Sequence, residues 1–212
     1  MENPKSTSES SKSRILDVAE DLFAEHGFDG AGMKAISVRA GVAQGLLHYH
    51  FRDKAGLYAA VVARRSALIN SARHLALAKV DIGAPGDLEA VLHALLWPPM
   101  SDMGGGTAYA RIFGSLAVGN SRDVELVREN YDDTATAFIG AIQDALPGIG
   151  AANAAWGYSF AIGSLVTILG RTGRSERLAG QDGAVEEMEA VLERLIRFVA
   201  AGLRHLRTED RT

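Results

Sequence analysis

The chain has 212 residues, of which 47% are hydrophobic and 23% are charged, and its formal net charge is −4. This length and apolar content suffice for a buried core and exclude a disordered chain. The absence of cysteine excludes disulfides, thiolate metal sites and cysteine nucleophiles. The N-terminus is polar rather than a signal peptide, and no run of 18 apolar residues occurs, so we expect a cytoplasmic protein without a membrane partner.

The charge is distributed unevenly along the chain. Residues 1–79 contain 11 Lys/Arg and 8 Asp/Glu, a charge of +3, whereas residues 80–212 contain 11 and 18, a charge of −7. A modestly basic first part suits contact with phosphate groups better than the acidic remainder does. A difference of this size also arises from ordinary fluctuation, so it supports nucleic-acid binding only where motifs agree with it.

The N-terminal region is predicted to be a polar arm followed by a helix. Residues 1–12 are rich in serine, lysine and glutamate, which is typical of an unstructured arm. Apolar residues recur at helical spacing over residues 13–26 and predict the first helix, and Gly27 is placed to end it.

The next segment has the pattern of a helix-turn-helix. Short helices are predicted over residues 33–40 and 43–50, and Gly41 between them can adopt the left-handed conformation that a tight interhelical turn requires. Leu47 and Phe51 are expected to face inward and close a three-helix bundle. Such a bundle is the smallest unit that can insert a helix into the major groove of DNA.

The remainder of the chain is predicted to be helical throughout. A long helix over residues 54–79 would bridge the head and the body, and Pro98 and Pro99 are expected to end the helix that follows. No alternating strand pattern occurs, so we predict an all-α fold with an N-terminal helix-turn-helix head and a C-terminal helical bundle. The helices predicted in that bundle span residues 87–97, 107–118, 122–146, 153–170 and 184–206.

The last two helices are apolar on more than one side. Small residues on the first of them permit close approach, and the last helix has apolar or small residues at steps of three and four, the spacing of a helix–helix seam. This pattern favours a four-helix interface between two subunits, although both helices could also be buried within one monomer. The seam consists of Val185, Met188, Leu192, Leu195, Val199, Gly202 and Leu206.

Many spaced residues of the head agree with one known pattern. They are the run from Arg14 to Phe28, then Ile36, Ala40-Gly41-Val42, Gly45, Leu47, His50-Phe51 and Lys54. Residues 13–60 thereby resemble the head of the TetR family of bacterial transcriptional regulators, and the rest of the chain resembles that family only in layout. The resemblance implies a helix-turn-helix DNA-binding domain over residues 13–58 and an effector-binding and dimerisation domain over residues 59–208.

The same resemblance implies a mode of action. Members of the family are homodimers that present two recognition helices to an inverted-repeat operator, and a small molecule bound in the body lowers their affinity for DNA. We therefore expect a repressor, with an activator or an effector-independent DNA-binding protein as the alternative.

The candidate DNA-binding residues lie on or beside the recognition helix. Gln44 can pair with an adenine edge or with a phosphate, and Gly45 would let the helix backbone approach the duplex closely. The family often has threonine at the position of Gly32 and serine at that of Ala43, so two hydroxyl contacts to phosphate are missing. Lys54 stands where the family places a phosphate-contacting lysine. The full set of candidates is Lys34, Gln44, Gly45, Leu46, His48, Tyr49, His50 and Lys54.

The aromatic residues of the body are the candidate effector-binding residues, although an aromatic stripe can equally be plain core. Pairs four residues apart lie on one helix face. Because no pair of basic residues is clustered among them, we expect a mostly apolar or aromatic effector. The candidates are Trp97, Tyr109, Phe113, Tyr131, Phe138, Trp156 and Phe160.

The sequence does not indicate an enzyme. We find no nucleophile, acid/base pair or metal centre with suitable spacing, and we expect no cofactor. His48 and His50 are two residues apart on a helix and point to different sides, so they do not form a metal-binding pair.

Overall fold

The structure is a computed structural model, which describes residues 4–119, 121–170, 172–181, 183 and 186–209. Within these residues there are helices and one 3-10 turn (Asp102–Gly104) but no strand, so the prediction of an all-α fold is confirmed. The helices are α1 (Pro4–Gly30), α2 (Met33–Ala40), α3 (Gln44–Phe51), α4 (Lys54–Leu77), α5 (Asp87–Met100), α6 (Gly106–Val118), α7 (Asp123–Ala145), α8 (Ala151–Leu169), α9 (Arg174–Leu178) and α10 (Met188–Glu209).

Helix α1 begins earlier than predicted. It starts at Pro4, so the prediction of an unstructured arm was wrong for residues 4–12, and residues 1–3 lie outside the described part of the chain. Proline suits the first turn of a helix, and no glycine or second proline interrupts the segment that follows. Gly27, with φ 68° and ψ 177°, breaks the helical geometry where the end of the helix was predicted.

Helix α5 ends later than predicted. It continues through Pro98 and Pro99 to Met100 rather than ending at Trp97. Pro99 has no N–H with which to bond the carbonyl oxygen four residues earlier, that of Leu95. Arg73 of α4 supplies the missing donor, because its Nε lies 2.8 Å from that oxygen.

The hydrophobic core of the head continues into the body. Buried residues of α1 to α4 form one cluster with Tyr109, Ile112 and Leu116 of α6 and with Tyr131 of α7. Because α4 is also continuous from the head to the body, a shift in α6 or α7 acts directly on the packing of the head.

A second core lies between α5, α7, α8 and α10. Leu192, Leu195 and Val199 of the predicted seam are buried in it, so they pack inside their own subunit, and Val185 lies outside the described residues. Helix α8 is long and apolar enough to cross a membrane by length and composition alone, and 22% of its most apolar 18-residue window is buried inside the chain. Much of its apolar surface is therefore uncovered in a single chain.

Candidate DNA-binding surface and ligand cavity

The turn between α2 and α3 has the geometry that its glycine predicts. Gly41 is left-handed, with φ 64° and ψ 40°, and its N–H donates to the carbonyl of Val38 at 3.1 Å. The N–H of Val42 donates to the carbonyl of Ser37 at 3.0 Å, which closes the end of α2. Leu47 is fully buried beneath this turn, and the opposite face of α3 is therefore directed outward.

The outward face of α3 collects most of the candidate DNA-binding residues. Tyr49 is 80% exposed, although a large aromatic residue is normally at least half covered in a protein. Leu46 and His50 at the edges of this face are half-buried. The exposed residues are Gln44, Gly45, His48 and Tyr49.

The two histidines of α3 have different environments. The Nδ1 of His48 lies 2.8 Å from the carbonyl oxygen of Arg52, so its N–H donates there and caps the C-terminus of α3. Its Nε2 is then an acceptor on the exposed side. The Nε2 of His50 is buried without a hydrogen-bond partner, and its ring packs against those of Tyr49 and Phe51. His48 is thus better placed than His50 to contact a ligand outside the protein.

A strained turn sets the angle between α3 and α4. Arg52 has φ 64° and ψ −59°, and the N–H of Asp53 donates to the carbonyl of Phe51 at 2.8 Å, which is the pattern of a γ-turn. The Oδ1 of Asp53 accepts the N–H of Gly56 at 2.8 Å and so caps α4. A Cβ atom at Gly56 would overlap the carbonyl oxygen of Phe51, so only glycine fits there. Neither Arg52 nor Gly56 was among the residues predicted from the sequence.

Lys54 is connected to the body through an aromatic ring. Its ammonium group donates to the carbonyl of Asp29 at 3.1 Å and lies 4.7 Å from the centre of the Phe28 ring. The guanidinium of Arg122, just before α7, lies 3.9 Å from the centre of the same ring. Movement of the start of α7 would therefore shift Arg122 and the Phe28 ring that Lys54 contacts. Lys34 lies exposed on α2.

A buried carboxylate forms a second connection between head and body. Glu20 of α1 is 4% exposed and accepts from Arg64 at 3.0 Å and from Arg65 at 2.7 Å, both on α4. Arg65 also donates to the carbonyl of Met103 at 3.2 Å, and its guanidinium lies 6.0 Å from the centre of the Tyr109 ring. This Glu20 network joins the first helix to the wall of a cavity in the body.

That cavity has a free volume of about 10 Å³, roughly the space of one water molecule. The hydroxyls of Tyr109 and Tyr131 are hydrogen-bonded to each other on its wall. Burial raises the pKa of Tyr131 to about 12 and that of Tyr109 well above its ordinary value, so both hydroxyls stay protonated at neutral pH. The residues that line it include Ile69, Arg73, Tyr109, Phe113, Tyr131 and Leu169.

Two family comparisons match this architecture. Residues 89–202 match the family described as "Tetracyclin repressor-like, C-terminal domain", and residues 15–61 match "Bacterial regulatory proteins, tetR family". The chain belongs to the TetR family. Its family is therefore one of helix-turn-helix transcriptional regulators.

Curated TetR-family relatives match only a short segment. The chain is 36% identical over 62 residues to the transcriptional regulator UidR of Escherichia coli (strain K12). These matched residues are 29% of this chain and 32% of UidR. It is 40% identical over 53 residues to the transcriptional activator FasR of Mycolicibacterium smegmatis, which is 25% of this chain and 24% of FasR. The chain thus spans a third or less of the length of these relatives.

Solved structures extend the likeness to the whole fold. The fatty acid degradation regulator FadR from Bacillus halodurans has a TM-score of 0.70 and 15% sequence identity, over 91% of this chain and 99% of that one. At this identity the likeness shows a shared fold alone.

The cavity of this TetR-family chain contains only some of the candidate effector-binding residues. Tyr109, Phe113 and Tyr131 line it, whereas Phe138 is fully buried in the second core. Trp97 is half-buried and stacks on His93. The spacing that placed Trp156 and Phe160 on one face was correct, but that face is the exposed side of α8, where they are 61% and 56% exposed.

Arg73 is 1% exposed and lines the cavity, but it was not among the residues predicted from the sequence. The available signal was its position: it lies four residues after Ile69 on α4, and therefore on the same inward face of that helix.

Proposed function

We propose that the chain is a homodimeric, sequence-specific DNA-binding repressor, which binds an inverted-repeat operator and is released from it by a small, mostly apolar effector. The outward face of α3 carries this proposal. Tyr49 is 80% exposed there while Leu47 on the opposite face is fully buried, so the helix is held firmly and its polar side chains are free to enter a groove.

The chemistry of that face suits both bases and phosphates. Gln44 can bond an adenine edge through its amide, and the Nε2 of His48 can accept a hydrogen bond from the amino group of a base. Helices α2 and α3 begin after Gly32 and Ala43 without any side-chain cap. Their first backbone N–H groups therefore remain available to phosphate oxygens, in place of the hydroxyls that these positions lack.

Lys34 and Lys54 would add charge to the phosphate contacts. The ammonium group of Lys54 has three N–H donors and uses one on the carbonyl of Asp29. Two donors remain for a phosphate, and the contact to Phe28 holds the ammonium group in place. Binding that depends on such contacts weakens with increasing salt concentration.

The homodimer is proposed from the uncovered side of α8 and α10. Trp156 and Phe160 of α8 and Phe198 of α10 are more than half exposed. A Cβ atom at Gly163 or Gly202 would meet nothing within 4 Å, so close approach by another helix is open there. A second copy of the chain would bury these residues in a four-helix interface.

Release by an effector is proposed to act through the Glu20 network. A ligand larger than one water must widen the cavity, and its wall includes Tyr109, whose ring lies beside Arg65. Displacement of Tyr109 moves Arg65, which pairs with Glu20. The two heads of the dimer are then no longer correctly spaced for successive major grooves. A hundredfold loss of operator affinity requires about 2.7 kcal/mol of differential binding, an ordinary coupling energy.

Activation is the second candidate, because the relative FasR is named a transcriptional activator. The same operator contacts serve both outcomes. A reporter gene placed behind the selected operator would distinguish them, since expression falls with a repressor and rises with an activator.

Selection of binding sites from random DNA by the purified chain tests the proposal. We expect an enriched inverted repeat whose affinity falls at least about tenfold in Tyr49→Ala, the loss of one or two good contacts. Leu68→Ala, at a half-exposed residue of α4 away from α3, is the control and should bind as the wild type does. No enriched site, or equal loss in both variants, would contradict the assignment of α3.

A further inference from the structure

Arg73 is a buried cation without an anionic partner. It is 1% exposed, and it forms no ion pair with any carboxylate in the described part of the chain. Burial lowers its pKa, while the nearby Tyr158, Tyr131 and Tyr109 act in the opposite direction. A buried guanidinium is costly unless a charged or polar partner compensates for the lost water.

Hydrogen bonds occupy only some of the N–H donors of the Arg73 guanidinium. The Nε donates to the carbonyl of Leu95 at 2.8 Å, which is the structural role imposed by Pro99, and the Nη1 lies 3.4 Å from the Oδ1 of Asn70. The Nη2 is buried and has no hydrogen-bond partner. A neutral donor such as glutamine could serve Leu95, so the structural role does not explain why the residue is charged.

Arg73 lines the cavity next to two protonated hydroxyls and an apolar wall. The hydroxyls belong to Tyr109 and Tyr131, and Ile69 and Leu169 supply apolar surface. One unpaired cation balances one negative charge, and a guanidinium with neighbouring hydroxyls matches the two oxygens of a carboxylate.

We infer that the cavity binds an apolar molecule bearing one carboxylate, whose oxygens accept from the Nη2 of Arg73 and from the hydroxyl of Tyr131 or Tyr109. This inference rests on the proposed effector site and assigns the chemical class of its ligand. It differs from the expectation of a mostly apolar effector, which was drawn from the absence of clustered basic residues, because one buried arginine can balance a single negative charge.

The turn that contains Met103 and Gly104 connects the cavity to the head. Gly104 lines the cavity and packs so tightly that a Cβ atom there would overlap the backbone of Pro99, and the preceding carbonyl, that of Met103, accepts from Arg65. A ligand larger than one water displaces this turn. The contact between Met103 and Arg65 then breaks, and the Glu20 network loses one of its anchors.

Titration calorimetry on the full chain tests the inference with fixed probes. The probes are hexanoate, octanoate, decanoate, dodecanoate and phenylacetate, each compared with its primary amide, which has the same apolar part and no charge. We expect at least one acid to bind about tenfold or more tightly than its amide, the contribution of a charge-assisted hydrogen bond. Arg73→Gln, which can still donate to Leu95, should abolish that preference, and Arg111→Gln, at an exposed residue of α6, should retain it.

Two controls separate the possible outcomes. Thermal unfolding of Arg73→Gln establishes that the variant is folded, and Arg73→Met replaces it if it is not, since an apolar residue removes the cost of a buried charge. If no acid binds better than its amide, or if the preference for the acid survives the loss of Arg73, the inference is overturned. Operator binding is measured separately, so a chain that selects an operator but shows no acid preference refutes only the ligand class.

Discussion

Replacement of Glu20 by glutamine isolates the connection between the first helix and the body. The side chain of Glu20 is 5% exposed, and its partners Arg64 and Arg65 are 24% and 19% exposed, so water screens these ion pairs weakly. Glutamine has nearly the same volume and keeps one acceptor. The change therefore removes the negative charge and leaves the packing intact.

The loss in the free energy of unfolding depends on the partners that Arg64 and Arg65 keep after the substitution. Loss of one member of a buried ion pair costs about 3–5 kcal/mol when the other member is left without a partner. Here Arg64 keeps Asp17 at 2.7 Å, and Arg65 keeps the carbonyl of Met103. We therefore expect Glu20→Gln to lower the free energy of unfolding by about 2–3 kcal/mol.

The assay is urea unfolding followed by circular dichroism at one fixed protein concentration, because the proposed dimerisation would make apparent stability depend on concentration. Glu25→Gln is the control: the same substitution on the same helix, in an exposed ion pair with Arg39 at 3.5 Å. Exposed pairs contribute about 0–1 kcal/mol. If the two substitutions lower the free energy of unfolding equally, Glu20 is not a buried anchor between α1 and α4.

Three further outcomes are expected. Gly45→Ala should stabilise α3 by up to about 1 kcal/mol, since a Cβ there meets nothing within 4 Å. The same substitution should weaken operator binding in a gel-shift assay if the backbone of α3 lies against DNA. Unchanged binding would refute this close approach. Arg52→Gly should raise the free energy of unfolding by about 1 kcal/mol by relieving its positive φ, and a loss in urea unfolding would show that the turn is not strained. Burial raises the pKa of Tyr58 and Tyr131 from 10 to about 12. Their contribution to stability is therefore complete below about pH 10 and lost as the pH rises toward 12, which urea midpoints measured across that range would show.

Local features of the head could be predicted from the sequence. The turn at Gly41, the buried Leu47 and Phe51 and the exposed Tyr49 all follow from helical spacing within a short stretch, since periodicity fixes which residues share a face. The confirmed all-α fold rests on the same signal repeated along the chain.

Features that depend on distant residues could not be predicted. Glu20 and Arg64 are 44 positions apart, so nothing in their spacing indicates that they pair. The extension of α5 through its prolines depends on Arg73, a residue of another helix. The exposed side of α8 could not be told from a buried one, because an apolar face has the same composition whether its own subunit or a partner covers it.

The central proposal is that two copies of the chain insert α3 into successive major grooves. Hydroxyl-radical footprinting of the selected operator, with the mass of the complex measured by analytical ultracentrifugation, tests it most directly. We predict two chains per duplex and two protected patches on one face of the DNA, about one helical turn or 34–36 Å apart. A single patch, or one chain per duplex, would contradict it.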